Sequence, residues 1–286
     1  MRIAALTLLA FSLNILDAQT QPLTAQQVIE RIQKNVGVPW AASTVDTIKA
    51  GDPNTPVTGV AVTMMATLDV IERAAAAGKN LVITHEPTFY SHQDQTAELE
   101  KQNDAVFAQK AAFIREHHMV VFRFHDHWHR RKPDGIQQGM TDALGWQSFQ
   151  NAADPHLFVL PETTLADLAA AVKRKLGIVA MRVVGDPQMR LTKVALMPGA
   201  GGSQRQIQML ERENVEALLI GEVPEWETVE YVADAVTEHK RKALLMLTHI
   251  PSEQAGMDEC ATWLKTFISE VPVEFVPARQ PFWLPK

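Results

Sequence analysis

The chain has 286 residues, 46% of them hydrophobic, and a formal net charge of −6. That length supports a full core in one large domain or two lobes, and an acidic balance without a basic stripe excludes nucleic acid as an expected partner. Cys260 is the single cysteine, so no internal disulfide can form, and its helical, amphipathic setting makes it a small core residue.

Met1-Arg2 precedes the apolar run 3–16, with no charge until Asp17 and a small residue at Ala18. A positive start, a short apolar core and a small residue describe a secretory signal peptide over 1–18. The run is short for a bilayer span, and no other segment is long and apolar enough for one. The expectation is an exported mature chain, periplasmic or extracellular, with no membrane segment after signal removal.

The next elements follow from pattern. Residues 24–37 have helical period with Thr24 as N-cap and Gly37 as stop. Residues 45–59, rich in Asp, Pro and Gly, read as a loop or hairpin. A strand over 57–65 leads to a strong helix ending at Gly78. A short buried strand at 80–84 is followed by one long helix over 95–118, a strand at 119–124 and a short helix closed by Gly145.

Polar, turn-prone residues near 150–156 mark a change of lobe. Beyond it come a helix at 163–177, strands at 178–185 and 192–197, and a glycine-rich turn at 198–203. A helix at 203–214, a strand at 216–221, a helix at 226–240 and a strand at 243–248 follow. A helix at 252–268 and a last strand at 271–276 close the series. This alternation predicts a two-lobed α/β protein with largely parallel sheet. The expected first lobe is 19–150, completed by 222–286, and the second is 151–221.

Three of these strands end in possible metal ligands: His85-Glu86, His125-Asp126-His127-Trp128-His129, and His249 with Glu253. The carboxyl edge of an open α/β sheet is where ligands bind, and N and O donors from three distant segments point to metal. If the middle strand continued, His125, His127 and His129 would share a face. Asp126 is then either a ligand or the group that orients a histidine. Pro251 and Ser252 place the start of the last helix there, leaving His249 on the preceding turn. Arg130 and Arg131 form a solvated run that could attract an anionic substrate. His92, His117, His118, His156 and His239 lack the pattern and read as surface or packing residues. The turn at 198–206 lacks both the P-loop ending and G-x-G-x-x-G, so it reads as a tight turn needing glycine.

Taken together, these segments resemble the Nif-three-like family of dinuclear metal-centre hexameric proteins, also known as domain-of-unknown-function thirty-four. The family's Thr-His-His-Pro has its counterpart in Thr84-His85-Glu86-Pro87. Its His-Thr-Asn-Leu-Asp corresponds to 125–129, and its Gly-His-Tyr-x-Ser-Glu to 248–253. The glycine-rich turn at 198–203 and Ile220-Gly221-Glu222 also match. His85, His249 and Glu253 carry over directly. Glu86 replaces a histidine, and His129 stands where the family has aspartate, a carboxylate that Asp126 can supply from a shifted position. The resemblance implies a Nif-three-like fold, a mono- or dinuclear site for one or two Zn, Mn or Fe ions, and a ring-like hexamer.

The expected function is metal-assisted hydrolysis of a small molecule, with Glu86 or Glu253 as general base if free of metal. A GTP cyclohydrolase-like label is implied by the family alone, and a phosphoester or a cyclic amide is equally open. The alternative is a non-catalytic metal-binding or oligomeric interaction protein.

Overall fold

A computed structural model of the protein describes residues 22–285; the expected signal peptide lies outside them. The chain opens with helix α1 (Ala25–Asn35), fixed by a capping box between Thr24 and Gln27. Next come β1 (Ile48–Ala50), β2 (Val60–Thr63), α2 (Leu68–Ala76) and β3 (Leu81–Thr84). The single helix expected over 95–118 is two, α3 (Ala97–Lys101) and α4 (Ala105–Glu116). Asn103 takes a left-handed φ of 52° and Asp104 caps the new helix by accepting from the Phe107 amide, so the break is local chemistry. Then follow β4 (Val120–Arg123), α5 (Asp126–Arg130) and α6 (Gly135–Leu144). Gly145, left-handed at φ 68°, closes α6 as expected.

The second half holds β5 (Leu157–Thr164), α7 (Leu165–Lys175), β6 (Arg182–Val184), β7 (Arg190–Met197), α8 (Ser203–Glu211) and β8 (Ala217–Ile220). A π-helical turn at Glu225–Val229 runs into α9 (Glu230–Thr237), followed by β9 (Ala243–Met246), α10 (His249–Leu264) and β10 (Val273–Phe275). Strand β5 went unread in the sequence because Pro161 interrupts it. Its pairing with β7 slips between Val159 and Thr163, as an edge strand allows.

The first sheet has strand order β1-β4-β3-β2-β10, parallel except for β1. The second has order β5-β7-β8-β9-β6, with antiparallel edges flanking three parallel strands. The chain therefore returns to the first sheet later than the expected residue 222. Strand β9 pairs with β8, and only β10 rejoins β2.

Alternation along the second sheet explains how the lobes join. Val194, Leu196, Leu219 and Leu245 face the core that also contains the first sheet. Ala195, Leu218, Leu244 and Met246 face a separate cluster with Val232 and Leu210. Helix α10 leaves the second sheet and packs on α6, β2 and β10. That crossing is close because Gly256 and Gly139 lie at it: a Cβ on Gly256 would stand 2.4 Å from Ile136 Cα. Cys260 is buried on α10. No helix of the described residues is long and apolar enough to cross a membrane.

Candidate metal centre

The carboxyl ends of the central strands of both sheets face one cavity of about 600 Å³. From the first sheet, β3 delivers His85 and Glu86 and β4 delivers α5 with His125 and His129. From the second, β8 delivers Glu222, while β9 delivers α10 with His249 and Glu253. Pro251 does not delay α10 to residue 251 as expected. It sits in the first turn, where the amide it lacks has no partner anyway. His249 and Glu253 therefore share one helical face, four residues apart. The preceding Thr248 holds φ 66° and ψ 158°, a costly conformation for threonine of the kind concentrated at functional sites.

The middle cluster folds differently from the extended reading. The strand stops at Arg123 and residues 126–130 make a helical turn, because Asp46 caps it. Asp46 accepts from the amides of His125, Asp126 and His127 at 2.7, 2.9 and 2.9 Å. On this turn His125 and His129 point the same way. His127 is turned aside: its Nδ1 lies 2.6 Å from Asp46, its Nε2 accepts from the Ala41 amide, and its ring stacks on Trp40. Asp126, expected among the candidate ligands, is turned aside as well. Thr44 and the Val45 amide hold one of its oxygens, and the other receives the Nδ1 of His125. It orients His125, while His129 faces His85 and His125, each ring 4.9 Å away.

The four inward histidines share one arrangement. His85 Nδ1 donates to the Phe124 carbonyl at 3.3 Å. His125, His129 and His249 present Nδ1 to Asp126, Asp134 and Glu222 at 3.0, 2.9 and 3.1 Å. A ring whose Nδ1 is so engaged offers Nε2 as the donor atom, as metal-bound histidines do. His85 Nε2 and Glu253 Oε2 are buried without a hydrogen bond and stand 3.7 Å apart. His249 Nε2 lies 3.1 Å from Glu253 Oε2 and 3.4 Å from Glu86 Oε1, which is 3.8 Å from His125 Nε2. Ligands 2.0–2.2 Å from one ion stand roughly 3.3–3.6 Å apart in a tetrahedron, so these spacings suit a cation. Two groups meet the requirement, His85 with His125 and His129, and His85 with Glu86 and Glu253. The residues present therefore fit a divalent ion, with His85 common to both groups.

Charge agrees with geometry. Burial, then the neighbouring His125 and His129, pushes the His85 imidazole well below its ordinary value, so the ring stands neutral, the form a metal would need. Burial alone would raise the Glu86 carboxyl, but His249, His125 and Arg123 together bring it down to about 2. Burial opposes the charge on His249 too, yet Glu222, Glu253 and Glu86 push it up to about 12. Without metal, His249 thus carries the proton that balances these carboxylates. An ion taking its Nε2 must expel that proton, so affinity should rise with pH by about tenfold per unit for one proton released. Calorimetric titration in buffers of different ionisation enthalpy measures the release. No proton release at pH 7 would contradict this charge state.

Several site residues were not read from the sequence. Arg123 is fully buried beneath Glu86, donating to the His85 carbonyl and standing 3.4 Å from Glu86 Oε2. His92 and His156, read as surface or packing residues, line the cavity with Arg205. Their signal was absent because each sits on a loop without a ligand-rich neighbour. Arg130 and Arg131, expected as substrate contacts, do not line it. Arg130 is exposed, and Arg131 stacks over Trp128 and Trp263. The glycine-rich turn serves close approach. Gly199 has φ 74°, and a Cβ there would stand 2.2 Å from Glu253 Oε1.

The pattern of the Duf34/NIF3 (NGG1p interacting factor 3) family matches residues 18–281. A curated relative from Clostridium acetobutylicum, a GTP cyclohydrolase 1 type 2 homolog, is 22% identical over 198 residues, covering 65% of this chain and 69% of the relative. Among solved structures, Staphylococcus aureus protein SA1388 superposes with a TM-score of 0.72 at 17% identity, over 92% of this chain and 100% of that one. A Bacillus cereus protein related to NIF3 gives 0.70 at 14% identity, with the same coverage of each. At these identities the structural likeness concerns the fold alone.

Proposed function

The chain belongs to the Duf34/NIF3 family, and from that premise we propose that it is a metal-dependent hydrolase acting on a small molecule in the cavity between its two sheets. The observation that carries this reading is the set of four imidazoles, each with Nδ1 held by an oxygen, whose Nε2 atoms stand close to one another or to Glu86 and Glu253. His85, His125, His129, His249, Glu86 and Glu253 would hold one or two ions, with Zn, Mn and Fe all suited to such donors. A divalent ion held there supplies a Lewis acid and lowers the pKa of a bound water towards neutrality.

The chain's own groups do the rest. Asp126, Asp134 and Glu222 keep the rings in place, while His249, then His125 and Arg123, keep Glu86 ionised beside them. Whichever of Glu86 and Glu253 is left free of metal would accept the proton of the attacking water. Arg205 on the opposite wall offers a cation to a substrate phosphate or carbonyl. The substrate class is a phosphoester or a cyclic amide, and the relative's name makes GTP one member of the trial set.

One observation favours a second reading. Six donors around one ion could fill its coordination and leave no open position, as in structural sites. Purified protein loaded with zinc, manganese or iron should turn over at least one member of a phosphoester, cyclic amide and GTP panel, and chelator should abolish that turnover. Stoichiometric metal without turnover on any of them would favour the binding-protein reading.

A further inference from the structure

A second chamber of about 500 Å³ adjoins the metal cavity, and Glu86 and His92 belong to the walls of both. Its other walls are mostly apolar: Met65, Ala66 and Leu68 on one side, Pro87 and Tyr90 on the other. The loop forming the second side is built rigidly. Asp94 accepts from the Thr88 and Phe89 amides at 2.6 and 2.7 Å, and buried Arg123 donates to the carbonyls of His85 and His92. Tyr90 holds a left-handed φ of 57°, strained for an aromatic residue, and the residue is 58% exposed.

Two polar groups of the chamber are under-used. Thr88 is 1% exposed, and its Oγ1 has no hydrogen-bond partner. Lys110 is 3% exposed and reaches the chamber from α4. One of its three donors goes to the Thr88 carbonyl at 2.6 Å, and its ammonium lies over the rings of Phe89 and Tyr90. Among the described residues no carboxylate forms a salt bridge with it, although the Asp94 charge acts on it from further off. A buried hydroxyl and a buried ammonium left so are costly unless a ligand completes them.

We propose that this chamber is a recognition pocket for an aromatic ring bearing an acceptor oxygen, the ring lying against Tyr90, Met65 and Leu68 and the oxygen meeting Thr88 Oγ1 and Lys110 Nζ. This rests on the hydrolase reading: the substrate has two parts, a ring held here and a hydrolysable group reaching past Glu86 to the ligand cluster. A ring pocket beside the metal also accounts for why a hydrolytic centre would carry a largely apolar chamber with a few polar groups at its walls.

The test uses the full, metal-free protein, so that binding is read without turnover. The probes are benzamide, acetamide (oxygen without ring) and fluorobenzene (ring without oxygen), followed by ligand-observed NMR titration. Benzamide should bind more tightly than either control. Leu68→Trp and Met65→Trp, both at partly exposed positions, should each weaken it by about tenfold by filling the chamber. Thr88→Val should weaken benzamide about fivefold and leave fluorobenzene unchanged. Circular dichroism checks that each variant is folded. Benzamide binding that is no tighter than acetamide, or that is indifferent to both tryptophan variants, overturns the proposal even if the substrate panel shows turnover. Binding lost on filling the chamber, with no turnover on the panel, supports the pocket and defeats the hydrolase reading instead.

Discussion

His85→Ala should cost more metal than any other single change at the site, lowering affinity for zinc or manganese by about a hundredfold or more. The reason is topological. His85 belongs to both groups of donors close enough to hold an ion, so its removal breaks each. Burial also keeps its imidazole neutral, ready to bind without losing a proton. Elemental analysis after reconstitution and dialysis measures the effect. His127→Ala is the matched control from the neighbouring segment: both its nitrogens are already engaged, by Asp46 and the Ala41 amide, so metal content should stay that of the wild type. If His85→Ala retains full metal, or His127→Ala loses it, the assignment of inward and outward histidines is wrong.

Asp46→Ala is expected to damage stability and site together. The carboxylate is 3% exposed and accepts three backbone amides at the start of α5 as well as His127 Nδ1. Each buried donor left without a partner costs about 1–3 kcal/mol, so a total loss of about 3–5 kcal/mol follows. Helix α5 is only one turn long, and its start is what sets His125 and His129 side by side. Denaturant unfolding should show the loss, and metal affinity should fall even though no ligand is altered. Asp46→Asn, which can still accept from some of these amides, should fall between wild type and alanine in both measurements. An alanine variant within about 1 kcal/mol of wild type would contradict the capping role.

These two residues mark how far the sequence could be read. His85 was legible because an apolar strand ends in His-Glu-Pro, and because strand ends of an α/β sheet converge on one edge. Asp46 was not, since it lies in a turn-rich stretch about 80 residues before the helix it caps, with no ligand-like neighbour. That unseen cap also explains the misreading of the middle cluster. An extended 125–129 would align His125, His127 and His129, whereas one helical turn aligns His125 with His129 and turns Asp126 away. Pro251 misled for a related reason, because a proline inside the first turn of a helix looks in sequence like its start. The α/β alternation was plain from period and turn residues. The allocation of β9 was not, since ALLM fits either sheet and only pairing with β8 decides it.

If distant segments of both sheets build one metal centre around His85, an ion soaked into the protein should be found there. An anomalous-scattering map from crystals grown with manganese or zinc tests it most directly. At least one peak is expected within bonding distance of His85 Nε2, with Glu253 or the pair His125 and His129 completing its coordination. A map without a peak in that cavity, or with metal only on the surface, would contradict it.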